Sequence, residues 1–448
     1  MANFSKSNVP QFSVDVYQNE YLPEGGREVN AIVTVSSTGG GTIGGAVGAP
    51  HLYAPGQGPS AAVAIMVDCS GSMDYPPTKM RGARDATAAA IDALRDGVHF
   101  AVVGGTHIAK EVYPGGGRLA VANATTRDQA KQALRKLSAG GGTAIGTWLK
   151  LADRLLASED AAIRHGILLT DGRNEHESPE DLRAALDASA GRFTCDARGV
   201  GTDWEVKEVT GIASALLGTA DIVADPAGLA ADFTQMMETA MGKEVADVAL
   251  RLWTPLGTEI KFVKQVAPTV EELTERRTEA GPRAGDYPTG SWGDESRDYH
   301  VCVKVPAAGL GQEMLAARVS LVIPQPDGTV HNLGAQGLVR AVWTDDMAAS
   351  TSINPQVAHY TGQAELAQVI QQGLDARKSG DIDGATAKLG RAVQLASESG
   401  NADTAKLLAK VVDVVDAAAG TVRLKAKVAE ADEMTLETRS TKTVRVKK

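Results

Sequence analysis

The spacing of apolar residues predicts which parts of the chain form strands and which form helices. Near the N-terminus, apolar and polar positions alternate on both sides of a turn at residues 23–26, which predicts a strand pair. From about Ser60, continuous apolar runs alternate with helix-compatible segments, as in parallel strands covered on both faces. The predicted strands lie at 61–67, 99–103, 166–169 and 193–200, and the predicted helices lie near 79–96, 126–137, 145–157, 178–189 and 228–240. This order predicts an α/β fold with a doubly wound, mostly parallel sheet over residues 59–242.

Apolar positions return to a period of two after residue 242. Four segments alternate in this way between Pro- and Gly-rich turns, namely 248–252, 299–305, 317–323 and 339–343. Short alternating strands without helices predict an antiparallel β-sandwich over residues 243–346. We expect the strands of residues 1–58 to complete this sandwich, so that the α/β domain is inserted in it or flanked by it. Within that first segment, the Gly- and Thr-rich run from Thr38 to Gly48 is predicted to be a flexible connection.

The C-terminal part of the chain has a helical period. Apolar residues recur at helical spacing in three stretches, namely 366–374, 385–396 and 407–415, with Ser-Gly breaks between them. This pattern predicts a small bundle of helical hairpins over residues 355–432. Residues 433–448 are polar, basic and rich in threonine, and we expect them to be a disordered tail.

Composition and charge narrow the functions that this chain is expected to have. The 448 residues carry a formal net charge of −10, which argues against nucleic acid and against an anionic membrane as partners. No segment approaches the about 20 apolar residues that span a bilayer, and the first residues lack the apolar core of a signal peptide. The three cysteines are widely spaced without a CxxC pair, which fits reduced thiols. We therefore expect a cytoplasmic protein.

Oxygen-bearing side chains cluster where the first predicted parallel strand ends. The run Val67-Asp68-Cys69-Ser70-Gly71-Ser72 places a carboxylate and two hydroxyls at alternate positions of one loop. Open parallel sheets bind their ligands at the carboxyl ends of strands. Hydroxyl and carboxylate oxygens suit a hard cation such as Mg²⁺, which accepts a few such ligands and keeps some water. The loop therefore predicts a divalent-cation site, although Asp and Ser at these positions would also suit a turn or a helix cap.

The Asp-x-Ser-x-Ser pattern resembles the signature of the von Willebrand factor A family, and two later elements match in the same order. Thr143 follows a Gly-rich run just before a predicted helix, and Asp171 ends the apolar strand Leu168-Leu-Thr-Asp-Gly172. The resemblance covers roughly residues 60–242. It implies a metal-ion-dependent adhesion site made of Asp68, Ser70, Ser72, Thr143 and Asp171, holding Mg²⁺ or, as alternatives, Mn²⁺ or Ca²⁺.

The same resemblance implies a role for each residue of the site. Ser70, Ser72 and Thr143 would contact the cation directly, whereas Asp68 and Asp171 would act partly through water. A coordination position would stay open for an Asp or Glu of a protein partner. The leading hypothesis is therefore a non-enzymatic scaffold of bacterial type that binds a partner's acidic side chain through the metal.

The sequence contains several other candidate sites and allows several other functions. Thr441 and Thr443, followed by Val444-Arg445, are candidate phosphorylation sites, and bacterial proteins similar to this one look like partners of Ser/Thr kinases and forkhead-associated (FHA) modules. His300 and Cys302 lie on one face of a predicted strand, where core packing is favoured over a metal pair. Domains of this type also resemble adaptors of AAA+ ATPases of the MoxR and chelatase groups, and the chain itself has no Walker motif. A metal-dependent hydrolase would need a positioned base, and none is evident.

Overall fold

The computed structural model describes residues 10–38, 59–325 and 327–446. The predicted connection at Thr38–Gly48 lies outside these residues except for Thr38. The strands in chain order are β1 (Gln11–Gln18), β2 (Tyr21–Leu22), β3 (Glu28–Thr38), β4 (Ala61–Asp68), β5 (His99–Gly105), β6 (Ala109–Tyr113), β7 (Ala120–Val121), β8 (Ile163–Thr170), β9 (Thr194–Val200), β10 (Ala220–Val223), β11 (Val245–Trp253), β12 (Glu259–Ala267), β13 (Glu271–Glu272), β14 (Thr278–Gly281), β15 (Ala284–Trp292), β16 (Glu295–Lys304), β17 (Glu313–Pro324), β18 (Val330–Trp343), β19 (Val412–Asp416) and β20 (Thr421–Leu424).

The helices follow the same order. They are α1 (Thr78–Asp92), α2 (Ala124–Leu134), α3 (Ile145–Leu156), α4 (Pro179–Ser189), α5 (Val206–Ala215), α6 (Leu229–Met241), α7 (Met347–Thr351), α8 (Pro355–Lys378), α9 (Ile382–Glu398), α10 (Ala402–Val411) and α11 (Glu430–Arg439), with short 3-10 turns at Gly71–Asp74, Pro226–Gly228 and Thr274–Arg276. None of the helices in the described part of the chain has the length and apolar character needed to cross a membrane.

The described residues form two compact units. The first comprises 59–246 with 290–293, and the second comprises 10–38, 247–289 and the described residues from 294 onward. The long segment of the first unit therefore follows β3 and ends at Ala246, the second residue of β11; both strands belong mainly to the second unit. The sequence predicted this boundary after residue 242.

The first unit is built on a mixed, mainly parallel sheet, as the sequence predicted. The strand order is β10-β9-β8-β4-β5-β6, and β7 also pairs with β5; β6 and β7 run antiparallel to β5. Every residue of β4 is buried, because helices cover both faces of the sheet. After β4 the chain crosses to β5 on one side and later to β8 on the other. The ends of β4 and β8 thus form a topological switch point, where such sheets bind ligands.

One helix of this unit was absent from the sequence prediction. Helix α5 has the sequence VKEVTGIASA, whose β-branched residues and glycine give only a weak helical signal. Its apolar residues Val206, Val209 and Ile212 are nevertheless buried. Packing against the sheet therefore stabilises a helix that intrinsic propensity does not favour.

The second unit contains two larger sheets, in which antiparallel pairing predominates, and one short strand pair near the C-terminus. The strand orders of the two larger sheets are β1-β3-β16-β12-β13 and β14-β15-β11-β17-β18-β2. The N-terminal strand β3 pairs along its length with β16, from Ser37 opposite Glu295 to Glu28 opposite Lys304. Strands β1 and β3 are therefore part of the same sheet as strands that follow the α/β unit in sequence, and β2 belongs to the other sheet, beside β18.

The C-terminal helices follow the predicted period only in part. Leu366, Ile370 and Leu374 of α8 pack with Leu389 of α9 and Leu408 of α10 in one apolar cluster. The helical pattern expected through residue 415 was wrong, because α10 ends at residue 411 and the chain continues as β19, which pairs with β20. The run Val412-Asp-Val-Val-Asp416 is rich in β-branched residues, which favour a strand over a helix.

The prediction of a disordered tail at 433–448 was also wrong for the described residues up to 446. Helix α11 includes the buried Leu436 and Glu437, and Glu437 pairs with Lys378 at 2.7 Å. Beyond the helix, Thr443 N–H donates to the Pro268 carbonyl at 2.9 Å. A polar, basic composition does not reveal such backbone pairing, so it indicates disorder even where the segment is ordered in the folded protein.

Candidate metal centre

The loop after β4 is fixed to the loop before α3 by paired backbone hydrogen bonds. Gly71 N–H donates to the Gly141 carbonyl at 2.9 Å, and Gly140 N–H donates to the Cys69 carbonyl at 2.8 Å. These reciprocal bonds hold together two segments that are far apart in sequence. They bring the loop with the two serines beside the loop with Thr143.

Asp68 is a fully buried anchor at the end of β4. Its Oδ1 accepts a hydrogen bond from Ser70 N–H at 2.7 Å, and its Oδ2 accepts one from the Thr170 hydroxyl at 2.7 Å. The Asp68 side chain therefore shapes the serine loop and also ties it to the end of the neighbouring strand β8. Burial raises the pKa of Asp68 to about 6, because it outweighs the hydrogen bonds from Ser70, and the charge of Asp171 adds to the rise.

The hydroxyl and carboxylate oxygens of the predicted site lie next to one another. Ser70 Oγ is 3.0 Å from Ser72 Oγ, and Ser72 Oγ donates to Asp171 Oδ1 at 2.7 Å. A Cβ added at Gly172 would lie 3.2 Å from Ser72 Oγ and 3.7 Å from Thr143 Oγ1, so both hydroxyls border the same space. The structure thus brings together all five residues of the predicted site: Asp68, Ser70, Ser72, Thr143 and Asp171.

A loop between β8 and α4 supports Thr143 through contacts that the sequence did not suggest. The His176 N–H donates to the Thr143 carbonyl at 3.0 Å, and the Thr143 N–H donates to His176 Nδ1 at 3.3 Å. The same loop accepts hydrogen bonds from the first N–H groups of α3. Ile145 N–H donates to Asn174 Oδ1, and Gly146 N–H donates to Glu177 Oε2. Glu177 therefore serves as a helix cap rather than as a free acid at the site.

Lys79 is a further residue of the site that sequence reasoning missed. Its buried ammonium donates to Asp171 Oδ2 at 2.8 Å and to Asp203 Oδ2 at 3.0 Å. Burial alone would lower the pKa of Lys79, but the hydrogen bonds and charges of Asp171 and Asp203 outweigh burial and raise it. Its place in the first turn of α1 indicated only that a nearby carboxylate would be favourable, because the helix dipole disfavours a positive charge there; the sequence did not show which carboxylate.

The donor set fits a hard divalent cation. Three hydroxyls and the Asp171 carboxylate lie next to one another, and the Asp68 carboxylate anchors the serine loop, so the candidate ligand atoms are all oxygens. Cys69 lies beside the site in sequence, but burial raises the pKa of its thiol to about 12, so it stays protonated. In the described part of the chain, no group of three or more His, Cys, Asp or Glu residues could hold a metal ion. A cation at this site would therefore depend on the serine and threonine hydroxyls.

The other candidates from the sequence lie in the second unit. His300 and Cys302 are both buried, and His300 Nε2 is 2.9 Å from Asn30 Oδ1. Burial, with the charge of Lys264, lowers the pKa of His300 to about 4. All three cysteines of the chain are free and buried, which fits their predicted reduced state. The pair thus lies within the packed interior.

The two candidate phosphorylation sites lie on the segment after α11. The Thr441 carbonyl accepts a hydrogen bond from Val270 N–H at 2.8 Å. The Thr443 hydroxyl donates to the Val266 carbonyl at 2.6 Å. A phosphate on Thr443 would remove that donated bond, so modification there requires the segment to detach locally.

Two sequence models of known protein families match the chain, one in the α/β unit and one in the C-terminal region. The sequence model described as the von Willebrand factor type A domain matches residues 61–222, and the model described as the von Willebrand factor type A C-terminal domain matches residues 394–440. No curated protein matches the chain. The second match covers part of α9 and all of α10, β19, β20 and α11, so the unexpected hairpin lies in a region that the family model describes.

Among the solved structures that resemble the chain, the following two do so over nearly its whole length. A von Willebrand factor type A protein from Catenulispora acidiphila is 52% identical, with 99% of each chain covered and a TM-score of 0.90. The ArnB paralog VWA2 from Sulfolobus acidocaldarius is 13% identical, with 96% of this chain and 98% of that chain covered and a TM-score of 0.56. The second likeness concerns the fold alone.

Proposed function

Because the chain belongs to the von Willebrand factor type A family, many of whose domains mediate metal-dependent protein interactions, we propose that it is a non-enzymatic protein-binding scaffold. In this proposal Asp68, Ser70, Ser72, Thr143 and Asp171 form a complete metal-ion-dependent adhesion site that holds Mg²⁺. The bound ion coordinates an Asp or Glu side chain of a protein partner.

The observation that carries the proposal is how the site's carboxylates are already engaged. Both oxygens of Asp68 accept hydrogen bonds from protein donors, and both oxygens of Asp171 do so as well. The groups left to contact a cation directly are then mainly neutral hydroxyls. A dication held by neutral ligands keeps most of its charge and attracts an external carboxylate strongly.

The surroundings of the site favour binding over catalysis. A hydrolase would need a general base within reach of a metal-bound water. Lys79 is protonated and paired with two carboxylates, and His176 Nδ1 accepts a hydrogen bond from Thr143 N–H. Glu177 accepts from Gly146 N–H and from the Asn174 side chain. Lys79, His176 Nδ1 and Glu177 thus already have structural partners.

The test is an affinity capture from the native cell with and without divalent cation. Wild-type protein in Mg²⁺ is compared with wild-type protein in EDTA and with Thr143→Val, which removes one proposed ligand without removing a buried charge. Thr147→Val is the matched control, because the Thr147 hydroxyl donates only to the nearby Ala144 carbonyl. We expect a partner that is lost in EDTA and with Thr143→Val and that is retained with Thr147→Val.

Two results would count against this function. Partners that are still captured in EDTA and with Thr143→Val would show that binding does not depend on the metal. Turnover of phosphatase or esterase substrates that needs Mg²⁺ or Mn²⁺, and that disappears with Thr143→Val, would support a metal-dependent hydrolase instead.

The predicted link to Ser/Thr kinases and FHA modules belongs to the same proposal. Thr441 and Thr443 lie on a segment that is paired to residues 266–270. Phosphorylation would add about −1.5 to −2 charges to this segment and create a ligand for an Arg-bearing reader. Mass spectrometry of protein from its native cell tests this, and an unmodified tail under all growth conditions would contradict it.

A further inference from the structure

The ammonium of Lys79 lies between two carboxylates, of which one belongs to the candidate metal centre. Its side chain is 7% exposed; Asp171 is fully buried, whereas the Asp203 side chain is 69% exposed. The strongly desolvated contact is therefore the one to Asp171, at 2.8 Å. Lys79 is the second residue of α1, the helix that directly follows the serine loop.

The contact divides the two oxygens of Asp171 between different partners. Oδ1 accepts from the Ser72 hydroxyl at 2.7 Å, on the side of the proposed ion, and Oδ2 accepts from Lys79 at 2.8 Å. A carboxylate held in this way presents one oxygen to the hydroxyl cluster. To present both oxygens, Asp171 would have to give up its hydrogen bond with Lys79. The buried ammonium would then lose its buried carboxylate partner, which costs free energy.

The number of carboxylate oxygens offered to an ion affects which ion is preferred. Ca²⁺ accepts six to eight oxygens and takes carboxylates in a bidentate mode, whereas Mg²⁺ requires a compact octahedral set and usually keeps water. A site whose aspartate can offer only one oxygen lacks a bidentate ligand from that residue. Such a site disfavours Ca²⁺ more than Mg²⁺.

We propose that Lys79 is a positioning residue that restricts Asp171 to one oxygen and thereby favours Mg²⁺ over Ca²⁺ at the metal centre. The inference rests on the proposed function, because it requires that this site binds a divalent cation. Lys79 itself does not contact the ion. It acts through the orientation of Asp171.

The test is the ratio of the Mg²⁺ and Ca²⁺ dissociation constants, measured by calorimetry on the full chain. Lys79→Met removes the ammonium and keeps the length of the side chain, and Lys79→Arg keeps the positive charge. Lys131→Met is the matched control, because Lys131 pairs with Asp92 at 2.8 Å on helices of the same unit. Circular dichroism establishes that each variant is folded.

We expect Lys79→Met to shift the ratio toward Ca²⁺ by about tenfold or more, the usual size of such indirect effects on metal affinity. Lys79→Arg should restore the wild-type ratio, and Lys131→Met should not change it. A lysine that only stabilised α1 would alter the unfolding temperature and not the ratio. A ratio within twofold of wild type in folded Lys79→Met would overturn the inference.

A second measurement does not depend on a variant that folds. In a crystal structure of the wild-type protein with Mg²⁺, Asp171 should contact the ion through one oxygen at most, and Lys79 should hold the other. An Asp171 that binds the ion through both oxygens would overturn the inference and leave the proposed function intact. Wild-type protein that binds neither cation would overturn both.

Discussion

Ser72 Oγ and Asp171 Oδ1 lie 2.7 Å apart, although 99 positions separate these residues in the chain. The contact joins the loop after β4 to the end of β8, the two neighbouring strands at the switch point of the sheet. A cation bound there would link the same two segments. Binding should therefore stabilise the folded α/β unit and should depend on Asp171.

The first prediction concerns this stabilisation. At a Mg²⁺ concentration about a hundred times the dissociation constant, the free energy of unfolding should rise by about 2.7 kcal/mol, because the ion binds only the folded state. Asp171→Asn should abolish this response. The variant should also lose about 3 kcal/mol or less of stability, because Lys79 keeps only its exposed partner Asp203. Thermal and urea unfolding with and without Mg²⁺ measure both effects.

The control for this prediction is Asp286→Asn. Asp286 pairs with Arg251 at 2.7 Å in the second unit, so its loss also breaks a largely buried ion pair. This variant should be destabilised and should still respond to Mg²⁺. An Asp171→Asn protein that Mg²⁺ stabilises as much as wild type would mean that the ion binds elsewhere.

A second prediction uses the glycine that borders the hydroxyl cluster. A Cβ at Gly172 would lie 3.2 Å from Ser72 Oγ, so Gly172→Ala should displace that hydroxyl and weaken Mg²⁺ binding, by about tenfold if a ligand moves. Gly211→Ala is the control, because a Cβ at Gly211 meets no atom within 4 Å. It should stabilise α5 by about 0.5–1 kcal/mol and leave Mg²⁺ binding unchanged. Equal Mg²⁺ affinities in both variants would show that Gly172 does not need to be small.

The residues by themselves predicted the part of the site that is local in the chain, whereas Thr143 and Asp171 were predicted through the family resemblance. Asp68, Ser70 and Ser72 share one loop at a strand end, and the fold class followed from buried apolar runs such as β4. Lys79 and His176 could not be predicted in the same way. Their roles depend on which loops approach each other in space, and the sequence pattern does not contain that information.

The C-terminal segment shows a second limit of sequence patterns. Its threonines and basic residues resemble a disordered tail in composition, yet Thr443 makes both a backbone and a side-chain hydrogen bond to residues 266–268. The carbonyls of Val266 and Pro268 become available to Thr443 only when the chain is folded. Composition therefore predicted the polarity of the segment correctly and its order wrongly.

A third prediction concerns pH and the second unit. The folded-state pKa of His300 is about 4 and the unfolded value is about 6.5, so the unfolded chain binds a proton more readily between these values. Stability should therefore fall as the pH drops from about 6.5 toward 4, by up to about 3 kcal/mol from this residue. The cause is burial between β3 and β12, with Asn30 accepting a hydrogen bond from the neutral ring and Lys264 repelling the charged one.

The measurement is urea unfolding at pH 7 and pH 5 for wild type and His300→Gln. The variant should be less stable at pH 7 and should lose less stability between the two values, because glutamine does not titrate. His331→Gln, which changes an exposed histidine on β18, should keep the wild-type difference. If the stability of His300→Gln depends on pH as strongly as that of wild type, other groups cause the pH dependence.

The last prediction tests whether the segment after α11 is held by the Thr443 hydroxyl. Thr443→Glu replaces a donor to the Val266 carbonyl by a carboxylate, which cannot donate and is repelled by that carbonyl. The unsatisfied carbonyl and the repulsion should lower the free energy of unfolding by about 1–3 kcal/mol and expose the segment to protease. Thr361→Glu is the matched control, because the Thr361 hydroxyl also donates to a carbonyl, that of Val357, but on an exposed face of α8. Equal stability of the two variants would mean that the bond to Val266 does not hold the segment, and phosphorylation of Thr443 would then not require it to detach.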